Sequence, residues 1–350
     1  MQKRLVKKIL SPVLVLMLAL SLTGCGETSE AMQGITEKIQ NLDYQGALED
    51  LQLAQESGED LRLCERSRGI AYIGLSMYDE AIEAFLRCLS LSDGFPREMD
   101  YDTNFYLAAA YTKSGRYEEA LKVYNAILDL DADRENAYFL RGNVEMNLGM
   151  TNEAIKDFDQ AVKMRPKDYD MLIDIYEILQ YFGQTDAAKN YLHQALSAED
   201  KDMDPYVTGR IYYYLGDFQK ASIALEEAKD KGGEKSYLYL GLAYEAIHDY
   251  NYAASVYNSY LGKYEGSAQI YNQLGLCELQ KKEYLKALNA FQTGKQLNDS
   301  TMQQSLCFNE IVAYERLGEF ETAYELMGEY IRNYPDDEQA KREYEFLSTR

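Results

Sequence analysis

Five cysteines, two histidines and a scatter of adjacent acids are the side chains of this 350-residue chain that could carry covalent, metal or acid–base chemistry. Cys25 stands apart: its thiol is a nucleophile, and Leu22, Thr23 and Gly24 precede it, so two small residues flank the bond on its amino side. Cys64 and Cys88 fall at the meeting ends of two helix-like stretches, where either a disulfide or a pair of small buried hydrophobes fits. Cys277 and Cys307 fall near opposite ends of neighbouring stretches, beyond the ~7 Å Cα limit for a bridge. His193 and His248 have no carboxylate or cysteine at ligand spacing, so no metal site is assigned. Glycine-rich phosphate loops and nucleophile elbows are absent. Acid pairs such as Glu118-Glu119 and Glu226-Glu227 read as solvated helix surface. No catalytic residue and no cofactor are assigned, and the chain reads as a protein that is not an enzyme.

Cys25 gains meaning from what precedes it. Met1 to Lys8 is basic, Ile9 to Leu22 is mostly apolar, and small residues follow. This pattern suits a signal peptide, being too short for a secure membrane span. Leu22-Thr23-Gly24-Cys25 resembles a bacterial lipobox. That resemblance implies that the Cys25 thiol accepts a diacylglyceryl group and becomes the lipid attachment site, with further acylation such as palmitate. Two or three chains suffice for stable anchoring at roughly 0.8 kcal/mol per buried CH₂. Residues 1–24 are thus expected to be a lipoprotein signal peptide and residues 25–34 a lipid-anchored polar tether. The expected location is outside the cytoplasm, on the outer face of a Gram-positive-type cytoplasmic membrane or on the outer membrane and periplasm. Formal net charge is −22, and removing residues 1–24, with four cations and no acid, takes it to −26. Such a surface repels phosphate backbones, which argues against nucleic acid as a partner.

The rest of the chain repeats. Ala47, Ala81, Ala120, Ala154, Ala188, Ala221, Ala253, Ala287 and Ala323 recur at intervals of 32 to 39 residues, most often 34. Twelve residues before most of these alanines stands a small residue (Gly69, Ala108, Gly142, Gly209, Gly241, Gly275), expected to face the alanine across two antiparallel helices. Tyr176 and Ile311 depart from that pattern. Five before come the turn glycines Gly115, Gly149, Gly183, Gly216 and Gly318, replaced by His248 and Lys282 in two repeats; a helix end there favours a left-handed residue. Four after comes a large residue, as in Phe85, Phe158 and Tyr257. The 39-residue interval is taken up by Ser92 to Asp102, expected as an inserted loop.

A helix–turn–helix period of 34 resembles the tetratricopeptide repeat. The resemblance covers about residues 35–335 and implies an all-α fold, an α-solenoid wound as a right-handed superhelix of about nine repeats. Residues 336–350 would supply a C-terminal capping helix. It further implies that first helices line a concave, peptide-binding groove. Carried over onto this sequence, the groove positions include Phe105, Phe139, Asn143, Asn147, Tyr181, Tyr206, Arg210, Tyr213 and Tyr214. The succession of Lys and Asn needed to clamp a terminal carboxylate is missing, since Phe139 precedes Asn143. The expected function is a membrane-anchored scaffold or adaptor that binds a protein or peptide during assembly of a cell-envelope complex. The alternatives are a structural spacer without specific ligand and a helical envelope enzyme acting on glycan or peptidoglycan. The enzyme would need paired carboxylates in the groove, where Glu177 and Glu245 are the candidates.

Overall fold

A computed structural model describes residues 29–197 and 203–350. The expectations for the signal peptide and for Cys25 fall outside these residues. Among the described residues every regular element is an α-helix. None of these helices is long and apolar enough to cross a membrane.

The chain divides into two compact units after Ala195. The first holds five hairpins: α1 Glu30–Gln40 with α2 Tyr44–Glu56, α3 Leu61–Gly74 with α4 Tyr78–Ser90, α5 Glu98–Lys113 with α6 Tyr117–Leu130, α7 Glu135–Asn147 with α8 Thr151–Met164, and α9 Tyr169–Tyr181 with α10 Thr185–Ser197. The second holds four: α11 Pro205–Leu215 with α12 Phe218–Ala228, α13 Gly233–Ala246 with α14 Tyr250–Leu261, α15 Ala268–Gln280 with α16 Tyr284–Gln296, and α17 Gln303–Leu317 with α18 Phe320–Asn333. A last helix, α19 Glu338–Leu347, packs against α18. Within each unit, first helices of successive hairpins touch, as α3 touches α5 and α11 touches α13. The nine spaced alanines all belong to second helices and all are buried.

Two boundaries differ from the sequence expectation. α1 starts at Glu30, inside the stretch read as tether, because Ser29 caps it by accepting from the Met32 amide. α5 starts at Glu98, so the insertion is shorter than Ser92 to Asp102; the Asp100 carboxylate reaches back to the Arg97 amide and satisfies a first-turn donor. Asp204 caps α11 by accepting from the Tyr206 amide, with Pro205 in the first turn.

The close approach of paired helices has a different geometry from the one expected. The glycines twelve before the alanine face the large residue four after it. A Cβ added at Gly69, Gly142, Gly209, Gly241 or Gly275 would press into Phe85, Phe158, Leu225, Tyr257 or Phe291 respectively. The alanine is too short to need that space; the ring of its neighbour fills it. Where the small residue is lost, Tyr176 and Ile311 occur with Leu192 and Met327 in place of a ring, and all four are buried. Cys64 and Cys88 are free thiols in the buried interior, so the alternative of a disulfide is not realised. Burial raises both thiols above their ordinary pKa. Cys277 and Cys307 are free as well.

Candidate functional site

α11 lays out Tyr206, Arg210, Tyr213 and Tyr214 at helical spacing, so the four share one side of a three-turn helix. The helix carries no acidic residue, a feature it shares with α14 and α16. α13 lies beside it and supplies Tyr239. The Tyr239 ring centroid is 6.1 Å from that of Tyr206, 5.5 Å from that of Tyr213 and 6.1 Å from that of Tyr214, in edge-on or tilted contacts. Such arrangements place ring edges on ring faces and add about 0.5–1.5 kcal/mol per pair beyond area burial. The Tyr214 and Tyr239 hydroxyls are hydrogen-bonded at 2.9 Å. Arg210 lies over two of these rings, 5.3 Å from the centroid of Tyr206 and 5.7 Å from that of Tyr239. The rings hold its planar head in one place through cation–π attraction. All five side chains are half-buried, so each keeps an accessible part.

The floor of this patch is polar. Burial first, then Tyr239 and Glu245, pushes the Tyr213 phenol up to about 12. Glu245 of α13 accepts a 2.6 Å hydrogen bond from the Tyr257 hydroxyl of α14. Burial raises the Glu245 carboxyl above its usual range, against the opposing hydrogen bonds from Tyr257 and Cys277. Glu245 therefore serves the packing of α13 on α14, and the other enzyme candidate, Glu177, belongs to α9 of the first unit.

The remaining groove candidates lie on first helices of the first unit. Phe105 is half-buried, its ring tilted against Tyr124 at 6.2 Å. Phe139 is 2% exposed and its ring lies 6.1 Å from that of Phe158, so it belongs to the core and offers nothing to a ligand. The reason is local: Gly142 lets the Phe158 ring come close to α7, and Phe139, without a hydroxyl to keep it wet, closes over it. Asn143 is half-buried, and its carbonyl accepts from the exposed Asn147 amide at 2.8 Å. Tyr181 is 48% exposed, edge-on to Phe182 at 5.1 Å. Thus the structure gathers Tyr206, Arg210, Tyr213 and Tyr214 into one patch. Tyr239 completes that patch and escaped the sequence reading because it lies one residue out of the register carried over for Tyr206. The alternating run Tyr237-Leu238-Tyr239-Leu240 was the available signal.

His193 is exposed on α10, while His248 occupies a turn and its Nδ1 is 2.9 Å from the Tyr250 hydroxyl. Among the described residues no three His, Cys, Asp or Glu side chains are grouped so as to hold a metal ion.

Comparison with known proteins matches repeat-family profiles along the chain. A tetratricopeptide-repeat profile covers residues 67–94, another 135–168 and a third 308–337, while a profile described as TPR repeat covers 108–149. Similar curated proteins include a BBSome complex member of Bos taurus, 25% identical over 252 residues, which are 57% of this chain and 48% of that protein. A TPR repeat-containing protein of Methanocaldococcus jannaschii is 24% identical over 266 residues, 74% of this chain and 42% of that one. The chain thus spans about half the length of the curated relatives it matches. Similar solved structures include a tetratricopeptide repeat protein from Parabacteroides merdae, with TM-score 0.48 and 13% identity over 72% of this chain and 98% of that one.

Proposed function

We propose that this chain, which carries tetratricopeptide repeats, is a scaffold for protein–protein contact and a lipid-anchored adaptor whose second unit grips a protein or peptide partner on the α11–α13 face. The observation that carries this reading is the Tyr206, Arg210, Tyr213, Tyr214 and Tyr239 patch. Tyrosine and arginine dominate interface hot spots because they offer large area, few rotors and a polar tip. Here an arginine is fixed over two rings and a cluster of half-buried phenols surrounds it, on a helix free of acids. Packing inside the unit accounts for the ring contacts; it does not account for leaving five such side chains accessible together.

Anchoring through Cys25 would hold this face outside the cytoplasmic membrane and raise its encounter rate with other envelope proteins by confining both to one surface. In this reading the protein works by binding and needs no cofactor. A spacer without ligand would keep its role after removal of two internal repeats, whereas an adaptor loses it. An enzyme on glycan or peptidoglycan would lose turnover on replacement of Glu177 and Glu245.

The test is crosslinking in whole cells followed by capture of the full chain. Tyr206→Ala with Tyr214→Ala is expected to reduce recovery of a specific partner by at least tenfold, since hot-spot truncations cost about 2 kcal/mol or more. Ile223→Ala on α12, where the side chain is exposed, serves as the comparison and leaves recovery unchanged. Recovery that is indifferent to the tyrosine pair contradicts the proposed face. Cys25→Ser, followed by palmitate labelling and fractionation, is expected to lose the label and release the chain from membranes; a labelled Cys25→Ser chain contradicts the anchor.

A further inference from the structure

Glu145 of α7 is 6% exposed, and its Oε2 atom is buried with no hydrogen-bond partner. One turn earlier on the same helix, Arg141 is already committed. Its Nε and Nη2 donate to the two carboxylate oxygens of Asp157 on α8 at 2.6 and 2.8 Å, and its Nη1 donates to Asn125 of α6 at 2.8 Å. Asp157 is buried too. Two carboxyls therefore face a single guanidinium whose fork is fully used by one of them. A buried carboxylate without a partner is costly, by several kcal/mol in general, and a proton is the cheapest remedy.

The surroundings offer no other remedy. From α8, Asp157 and Glu153 both add negative field at Glu145, and from α7 only Arg141 opposes them. The Tyr138 ring stands 5.7 Å from the Arg141 head and holds it by cation–π attraction, offering nothing to Glu145. α9 packs on this hairpin with Met171, Leu172, Ile175, Ile178 and Leu179 buried; its Tyr176 phenol is raised by burial, and its charged residues Asp170, Asp174 and Glu177 are acids that bring no cation. On α6, burial keeps the Tyr124 phenol neutral by raising it far above its usual value.

We propose that Glu145 is a proton-operated latch on the α7–α8 hairpin. Protonated, it donates to Asp157 and rests in the interior; ionised, it sets two carboxylates against one guanidinium and loosens the hairpin that presents Asn143 and Asn147. The latch stands independently of the α11–α13 reading, which concerns the other unit. Burial first and then Asp157 push Glu145 from its ordinary 4.5 up to about 7, so it operates across neutral pH. The folded state holds this proton more tightly than the unfolded chain does. The stability it confers is complete below about pH 4.5 and is lost as pH rises through about 7.

Hydrogen exchange of the full chain between pH 5 and pH 8, corrected for intrinsic rates, tests the latch. The opening constant of α7–α8 amides is expected to rise by up to about tenfold per pH unit and to level off above neutrality. Glu145→Gln, which cannot ionise, is expected to flatten that rise while leaving exchange in the second unit unchanged. Asp157→Asn frees Arg141 to pair with Glu145 and is expected to flatten it as well. An unchanged pH slope in Glu145→Gln overturns the proposal. If that variant does not fold, a carboxyl resonance of Glu145 in the unaltered chain that titrates at its ordinary position overturns it equally.

Discussion

Left-handed backbone recurs in every hairpin five residues before the buried alanine, whatever residue stands there. Gly115, Gly149, Gly183, Gly216 and Gly318 adopt φ between 75° and 82° at that position, but so do Leu42, Ser76, His248 and Lys282, at 61° to 63°. The first set was legible from sequence, because glycine enters this region freely. The second was legible only through register, since a side chain there works against the conformation by roughly 1 kcal/mol. His248→Gly and Lys282→Gly are accordingly expected to stabilise the second unit by about 0.5–1 kcal/mol each. Urea midpoints measure this, and a midpoint lowered by either change would show that the side chain contributes more than its backbone strain costs. The same limit of register explains the site residues. Tyr206 and Phe139 occupy equivalent positions, and the sequence alone does not tell which ring a neighbouring glycine will let sink.

At the scale of helices, the pattern of apolar residues announced nearly every element, while the ends were set by local hydrogen bonds. Ser29 and Asp100 extended helices into stretches that composition marked as loop. The pairing of Gly241 with Tyr257, and of its counterparts, shows that a large side chain sets hairpin spacing and a glycine accommodates it. Contacts between helices also create charges that sequence spacing does not reveal. Glu315 of α17 has a buried Oε1 with no hydrogen-bond partner. Burial first, then Glu343, moves its carboxyl up to about 7, with Arg316 opposing. A raised carboxyl means stability that is lost as pH climbs through that value. Glu315→Gln is therefore expected to raise the thermal midpoint of the chain at pH 8 and to leave it unchanged near pH 4. Equal effects at both pH values would contradict the assignment.

For the molecule as a whole, the proposed function is recognition of a protein partner by a repeat surface in a chain of net charge −22. On its α11–α13 face, aromatic area, a fixed cation and accessibility coincide. The most direct measurement places a photoreactive amino acid at position 214 or 239 of the full chain in living cells, with position 223 on α12 as the reference because Ile223 is 73% exposed there. The account predicts one discrete protein adduct from 214 and 239 and none from 223. Adducts from 223 with none from 214 and 239 would contradict it.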